Sequence, residues 1–428
     1  MKILFVNNFF SEYGGTEKLF LNQAELLEEN NLQVFFFASS KEPLFIKDYK
    51  YKKYFPEFQD YRNAGIFKSI KNISGIFYNK QAKINLKEYL KEIKPDVVHI
   101  HNIYYNLTSS VIDACKEMNI PVVMSVNDPR IVCPGGTFMY KGKSYCKKEK
   151  CIKSHPLHCV FNKCKDKNLK SSIIATAENI FNKLTGKLDY VSYFICPSMA
   201  LGNLLLRAGF ESSKLKFIPN FLDDKFLDIR PEYNRGGYFL YVGRLSEEKG
   251  VNYLLKAMSL LPEEIKVHIV GDGQQRQELE DYANHLNLDN VIFKGFLEGK
   301  ELEEEYKNCI ATVLPCNWFE AFGLTIIESF ACAKPVIASR IGAIPELVTD
   351  FETGFTFEPG NIKELADAVY KLYSDKELTA KMSVKARKTA EQLFNSKLHY
   401  ESLKKVYDSV VNKEKTSTES VAYTKSSF

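Results

Sequence analysis

Two carboxylates eight residues apart flank a glycine in Glu320-Ala321-Phe322-Gly323-Leu324-Thr325-Ile326-Ile327-Glu328, directly downstream of the apolar run Ala311 to Leu314. A glycine at that point lets the backbone approach a ligand closely. The apolar helix predicted after it offers unpaired N–H groups and the positive end of its dipole to a phosphate. The chemistry this suits is an anion site with acids beside it to read sugar hydroxyls. Taken alone, Glu320 and Glu328 could equally be a helix-start charge and a surface residue. A second segment, Tyr241-Val242-Gly243-Arg244-Leu245-Ser246-Glu247-Glu248-Lys249-Gly250, puts Arg244 and Lys249 in a loop after another apolar run. Two cations there can neutralise a diphosphate and the charge that grows on it as it leaves. A surface loop with two charges is the plain alternative. Ile269-Val270-Gly271-Asp272-Gly273 is a similar strand-to-glycine turn and weak by itself.

The elements that must position these residues show in the hydrophobic pattern. Apolar runs at 2–7, 33–38, 96–100 and 122–126 alternate with helical stretches, and the rhythm resumes at 238–242, 267–270, 291–293, 311–314 and 335–338. Short apolar strands separated by helices predict parallel sheets covered on both faces. The fold class expected is α/β, two doubly wound Rossmann-like domains facing across a cleft, which 428 residues suffice to build. Ligands then bind beyond the carboxyl ends of the strands. Expected boundaries are 1–220 for a first domain with an insertion at 133–170, and 221–395 for a second. A helix over 396–412 is expected to return to the first domain, and a Ser- and Thr-rich tail, 413–428, reads as disordered.

The motifs together, G-R-L-S-x-E-K-G, V-G-D-G, E-A-F-G-x-x-x-x-E and Gly342-Ala343-Ile344-Pro345-Glu346, resemble the nucleotide-sugar domain of retaining GT-B-fold glycosyltransferases of family 4, the group 1 type. The resemblance covers nearly the whole chain and is strongest over 238–360. In the first half it rests on Tyr13-Gly14-Gly15-Thr16-Glu17, on the segment from Lys94 to Asn102, and on residues around Asn127. It implies a nucleoside-diphosphate-sugar donor and metal-independent transfer with retention. It also implies that Glu320 contacts sugar hydroxyls, Glu328 the ribose, and Arg244 with Lys249 the diphosphate. Backbone N–H groups near Phe322, Gly323 and Leu324 would complete the cradle, and Gly14-Gly15 would approach from the opposite domain. The acceptor is expected to be lipid-linked or a glycan, in surface polysaccharide or glycoconjugate synthesis. A sugar-nucleotide epimerase or a silent nucleotide-sugar-binding subunit is the alternative. In many relatives a histidine precedes the aspartate that here is Asp128, but this chain has Asn127. An amide cannot act as a general base, though it can hydrogen-bond a hydroxyl. His101 is a candidate replacement, the alternative being a structural histidine at a strand end.

Cys133, Cys146, Cys151, Cys159 and Cys164 make up half of the ten cysteines. Such density admits a structural zinc on Cys146, Cys151, Cys159 and Cys164, but no C-x-x-C occurs, so reduced thiols and disulfides stay open. Ten lysines between Lys141 and Lys170 make this insertion basic. Residues 1–200 carry 29 Lys/Arg against 19 Asp/Glu, and 201–428 carry 29 against 34. This asymmetry points the first half toward an anionic partner such as a membrane surface, or else to a solvated basic face. The stretch Ile66 to Lys80, with Ile66, Ile70, Ile73 and Phe77 at helical spacing, is a second membrane candidate or a helix packed on the sheet. Nucleic acid is not expected, because the motif-bearing half is acidic. With a strand starting at Lys2 and no apolar stretch long enough to span a bilayer, the expected address is the cytoplasm, peripheral to the membrane at most.

Overall fold

A computed structural model describes residues 1–11, 14–58, 75–141, 144–146, 149–153, 155–233 and 236–425, without the side chains of 144, 153 and 413–425. Tyr13 and most of the 66–80 stretch, including Ile66, Ile70 and Ile73, lie outside the described residues, as do 426–428.

The apolar runs become two six-stranded sheets, all of whose ladders are parallel. The first is built from β1 (Lys2–Asn7), β2 (Gln33–Phe37), β3 (Val97–Asn102) and β4 (Val122–Ser125). After a small hairpin, β5 (Met139–Tyr140) and β6 (Ser144–Tyr145), it is completed by β7 (Val191–Cys196) and β8 (Leu215–Phe217), in the order β2-β1-β3-β4-β7-β8. The second comprises β9 (Tyr238–Val242), β10 (Val267–Val270), β11 (Val291–Gly295), β12 (Cys309–Leu314), β13 (Val336–Ser339) and β14 (Gly354–Phe357), ordered β11-β10-β9-β12-β13-β14. Central strands such as β4 and β13 are buried at every residue, which is why they read as unbroken apolar runs. Edge strand β11 instead alternates between half-buried and exposed positions.

Five helices matter for the site: α1 (Gly15–Glu29), α2 (Leu169–Thr185), α3 (Met199–Arg207), α4 (Leu324–Ala331) and α5 (Ser396–Lys425). The chain leaves the first sheet at Pro219–Leu222 and comes back near Phe394, and the two passages are tied by Leu222 N–H donating to Phe394 O at 2.8 Å. Beyond that return, α5 packs on the first sheet, burying Leu403, Val406, Tyr407 and Val410 in its core. Fully burying such side chains contributes roughly 2 kcal/mol each. Buried polar groups on α5 are paired: His399 bonds Gln23 at 2.8 Å and Pro219 O at 2.7 Å, and the Tyr407 hydroxyl bonds His99 at 2.7 Å. Helical backbone continues to Lys425, into residues whose composition reads as a disordered tail.

Direct contacts hold the two halves together. Ser198 Oγ donates to Ala321 O at 2.6 Å, and Phe319 N–H to Thr137 O at 3.2 Å. Phe319 and Ala321, from the second half, sit in the core of the first. Glu346 accepts from Met199 N–H at 2.8 Å and Ala200 N–H at 2.5 Å, capping α3 from the other side of the interface.

Candidate active site

The loop after β9 and the loop after β12 lie against each other. Gly250 has φ 71°, and a Cβ there would come within 2.0 Å of Pro315 O, so only glycine allows this approach. The contact brings Lys249 Nζ to 3.2 Å from Glu320 Oε2, and the same ammonium lies 4.6 Å from the centroid of Trp318. Trp318 Nε1–H donates to that carboxylate oxygen at 3.1 Å. The Glu320 backbone is held as well, since Ala343 N–H donates to its carbonyl at 2.8 Å. Gly342, with φ 58°, passes so close that a Cβ would reach 2.2 Å from that oxygen. Arg244 is 72% exposed, with its nearest carboxylate Glu248 at 3.5 Å, and is free to turn toward a ligand.

Gly323 (φ 108°) opens α4, whose side chain Leu324 stands opposite Gly15 at the start of α1, 3.7 Å from where a Cβ would lie. The two helix starts face each other across the interface. Gly14, φ 107°, opens α1, and the Glu17 carboxylate folds back over it. Burial raises Glu17 above the ordinary carboxyl range, opposed by its own N–H and by Arg244 and Arg130. Glu328 lies one turn into α4, accepts from the Tyr306 hydroxyl at 2.8 Å, and is likewise pushed up by burial.

On the first half, Asn127 and His101 line one pocket with Thr16, Asn102, Tyr104, Met124 and Asp128. Asn127 Nδ2 and both ring nitrogens of His101 are buried without partners. His101 packs against Phe5, Phe20 and His99 with centroids 4.3–5.0 Å away. Burial takes its pKa down to about 3, so the ring stays neutral and is a feeble base, able to give and take hydrogen bonds. The structure thus joins Lys249 to Glu320 and Gly15 to Leu324, and places Glu328 with Tyr306. Asn127 and His101 share a separate wall. The sequence reading missed Trp318 and Tyr306, and it quoted Glu17 and Glu346 only within motifs without giving them a role; a tryptophan two residues before a candidate acid was the available signal for the first.

The zinc expectation is corrected. None of Cys146, Cys151, Cys159 and Cys164 is in a disulfide, and among the described residues no group of three or more His, Cys, Asp or Glu is disposed to hold a metal ion. Burial pushes the Cys151 thiol up to about 12. Cys159 and Cys164 share a hydrogen bond that lowers the first and raises the second.

Facing parallel α/β domains with cationic and acidic loops at strand ends define the architecture of nucleotide-sugar transferases, the GT-B fold. Residues 13–226 match the model of Glycosyltransferase Family 4 and residues 224–389 that of Glycosyl transferases group 1, so the chain belongs to this family of glycosyltransferases. It is 25% identical to an uncharacterised glycosyltransferase of Methanocaldococcus jannaschii over 75% of this chain and 78% of that one. It is 26% identical to the capsular polysaccharide biosynthesis glycosyltransferase CapM of Staphylococcus aureus, over 56% of this chain and 61% of CapM. Matches to other curated relatives span 34–55% of their length. The crystal structure of Anabaena HepE in complex with UDP superposes with a TM-score of 0.67 at 19% identity, covering 96% of this chain and all of that one. Among the described residues no helix is long and apolar enough to cross a membrane.

Proposed function

We propose that the protein transfers a sugar from a nucleoside-diphosphate-sugar to an acceptor with retention at the anomeric carbon, and that this chain's own cations, without a metal, stabilise the leaving diphosphate. The observation that carries the reading is the Lys249 and Glu320 pair, 3.2 Å apart beside the glycine-started helix α4. In it, Lys249 and Arg244 neutralise the diphosphate and the backbone N–H groups around Phe322, Gly323 and Leu324 point at it. Glu320, released in part from Lys249 when phosphate arrives, takes sugar hydroxyls. Glu328, held by Tyr306, takes the ribose. As the glycosidic C–O bond lengthens, negative charge grows on the β-phosphate oxygen and positive character on the sugar ring. The two cations and the helix start stabilise the former. The acceptor attacks from the side the phosphate leaves, so its proton passes to the departing oxygen, and neither Asn127 nor His101 need act as base.

HepE has been crystallised with UDP-glucose, and CapM is named for capsular polysaccharide biosynthesis. A UDP-sugar is therefore the first donor to try, and a surface polysaccharide the first pathway. The insertion exposes Leu157, Phe161 and Leu169 among its lysines, a composition suited to resting on an anionic lipid surface. Cosedimentation with phosphatidylglycerol vesicles tests that part. The donor reading is tested by calorimetry against UDP, GDP, ADP and TDP and by nucleotide release from their sugars. One nucleotide should bind and lose affinity in Arg244→Ala. Binding of none would sink the reading, and a product that keeps its nucleotide would indicate an epimerase.

A further inference from the structure

The residues on either side of Glu320 are both fastened to the first half. Phe319 N–H donates to Thr137 O at 3.2 Å, and its ring packs on that of Phe138 with centroids 5.7 Å apart. Phe138 and Phe319 are 2% and 4% exposed and lie in the core of the first half. On the other side, Ala321 O accepts from Ser198 Oγ at 2.6 Å. Glu320 is thus suspended between two anchors on the opposite domain. Ser198 already has a local task, since its Oγ accepts from Leu201 N–H at 3.2 Å and caps α3. Thr137 and Phe138 belong instead to the insertion between β4 and β7, which so far has no part in the chemistry.

The same insertion reaches the other loop of the couple. Lys167 Nζ pairs with Glu247, which opens the single turn Glu247–Lys249. The backbone that presents Lys167 is fixed. The next residue, Asn168, caps α2 by accepting from Lys170 N–H at 2.8 Å and Ser171 N–H at 3.2 Å, and Lys165 N–H donates to Ser172 Oγ at 3.1 Å. Phe138 is fixed as well, because its carbonyl accepts from Cys146 N–H at 2.6 Å across the hairpin. The two donor loops also bond each other, Asn317 N–H to Glu248 O at 2.8 Å. The insertion and the two loops therefore close a circuit of contacts around Lys249 and Glu320, and a shift of about 1 Å anywhere in such a circuit is enough to cost a large part of the rate.

We propose that the insertion is a brace that sets the donor couple from the opposite domain, with Phe138 positioning Glu320 through Phe319 and Lys167 positioning Lys249 through Glu247. Both act through another residue, so they are positioning residues. Their weights differ. The aromatic pair is buried and directional and carries the larger share, whereas the side chains of Lys167 and Glu247 are 50% and 34% exposed and carry a smaller one. The inference rests on the glycosyl-transfer reading and adds to it a part for the insertion in placing the leaving-group machinery.

The experiment follows nucleotide release by the full chain from whichever sugar nucleotide of UDP, GDP, ADP or TDP the wild type cleaves. Phe138→Leu keeps an apolar side chain and removes the ring, so kcat should fall about tenfold with donor KM within about twofold of wild type. Emission of the single tryptophan, Trp318, which directly precedes Phe319, should shift in the same variant. Lys167→Glu should lower kcat about threefold, and adding Glu247→Lys should restore it, which a general loss of stability would not allow. Lys167 is exposed, so this arm decides the matter if Phe138→Leu does not fold. The proposal is overturned if either variant folds and keeps wild-type kcat, or if the exchanged charges fail to restore it. A lower urea midpoint with kcat and emission unchanged would make Phe138 structural only and overturns it too. Cleavage of none of the four by the wild type is a different outcome: it sinks the transfer reading, and Trp318 emission in Phe138→Leu then decides whether the brace sets the loop.

Discussion

The two faces of the site differ in how their polar groups are occupied. On the second half every acid named is engaged: Glu320 by Lys249 and Trp318, Glu328 by Tyr306. On the first half His101, Ser109, Asn127, Arg130 and Asn182 all keep buried atoms with no partner. Groups that hold one another are already placed before a ligand arrives, and a ligand need only exchange partners with them. Groups without a protein partner must be satisfied by something else, a water or a ligand. Under the transfer reading proposed above, the engaged face is the one that holds its groups in place for the donor.

The largest expected effect follows from breaking the engaged face. Lys249→Ala removes a cation from the diphosphate and strips Glu320 of its ion-pair partner, and kcat for nucleotide release should fall about a hundredfold to a thousandfold. A fall of less than about threefold would mean that this pair does not stabilise the leaving group, and the contrast between the faces would lose its catalytic meaning.

The unpaired face has its own signature in pH. Burial raises the Glu178 carboxyl to about 7 from an unfolded value near 4.5. Between those values the folded chain holds a proton that the unfolded chain has released, so stability should fall as pH rises from about 4.5 through about 7. The contribution lost is on the order of 3 kcal/mol. Glu178→Gln should flatten that part of the urea midpoint against pH. An unchanged slope would place Glu178 in a wetter site than its burial indicates.

The contrast also explains what the sequence could and could not show. Central strands such as β4, buried on both sides, had to be continuous apolar runs, and the alternation with helices followed from parallel pairing. Gly323 and Gly250 were legible because their backbones need positive φ next to a close contact. The couple between Lys249 and Glu320, 71 residues apart, was foreshadowed by each lying after a strand and by the resemblance that placed both beside the donor, but not their direct ion pair. Nothing local marks the burial of Glu178, which arises only when α2 packs across the segments that follow β3 and β4. The cysteines misled for the same reason: spacing counts residues, whereas ligation needs three or more ligands placed around one point, and among the described residues no such group is formed.

A smaller effect tests whether the faces are held at a fixed separation. Glu346 caps α3 from across the interface through two backbone N–H groups. Glu346→Ala should cost about 1 kcal/mol, the usual worth of a lost helix cap, seen as a lower urea midpoint. A larger loss, with nucleotide affinity falling too, would show that this strut also sets the donor site.

The smallest effect is the most discriminating within the engaged face. Trp318, the single tryptophan of the chain, both lies against Lys249 and donates to Glu320. Trp318→Phe keeps an aromatic face for the ammonium and removes only the N–H. The lost hydrogen bond is worth about 1 kcal/mol, so kcat should fall roughly fivefold with donor KM nearly unchanged. Trp318→Ala removes the face as well and should raise KM. If Trp318→Phe were as damaging as Lys249→Ala, the indole and not the lysine would place Glu320. If it had no effect, the ion pair alone would suffice and the indole would serve only to pack the ammonium. In the wild type, quenching of the fluorescence of this single indole, excited at a wavelength where tyrosine does not absorb, on adding UDP-glucose would report donor arrival at the residue that joins the cation to the acid.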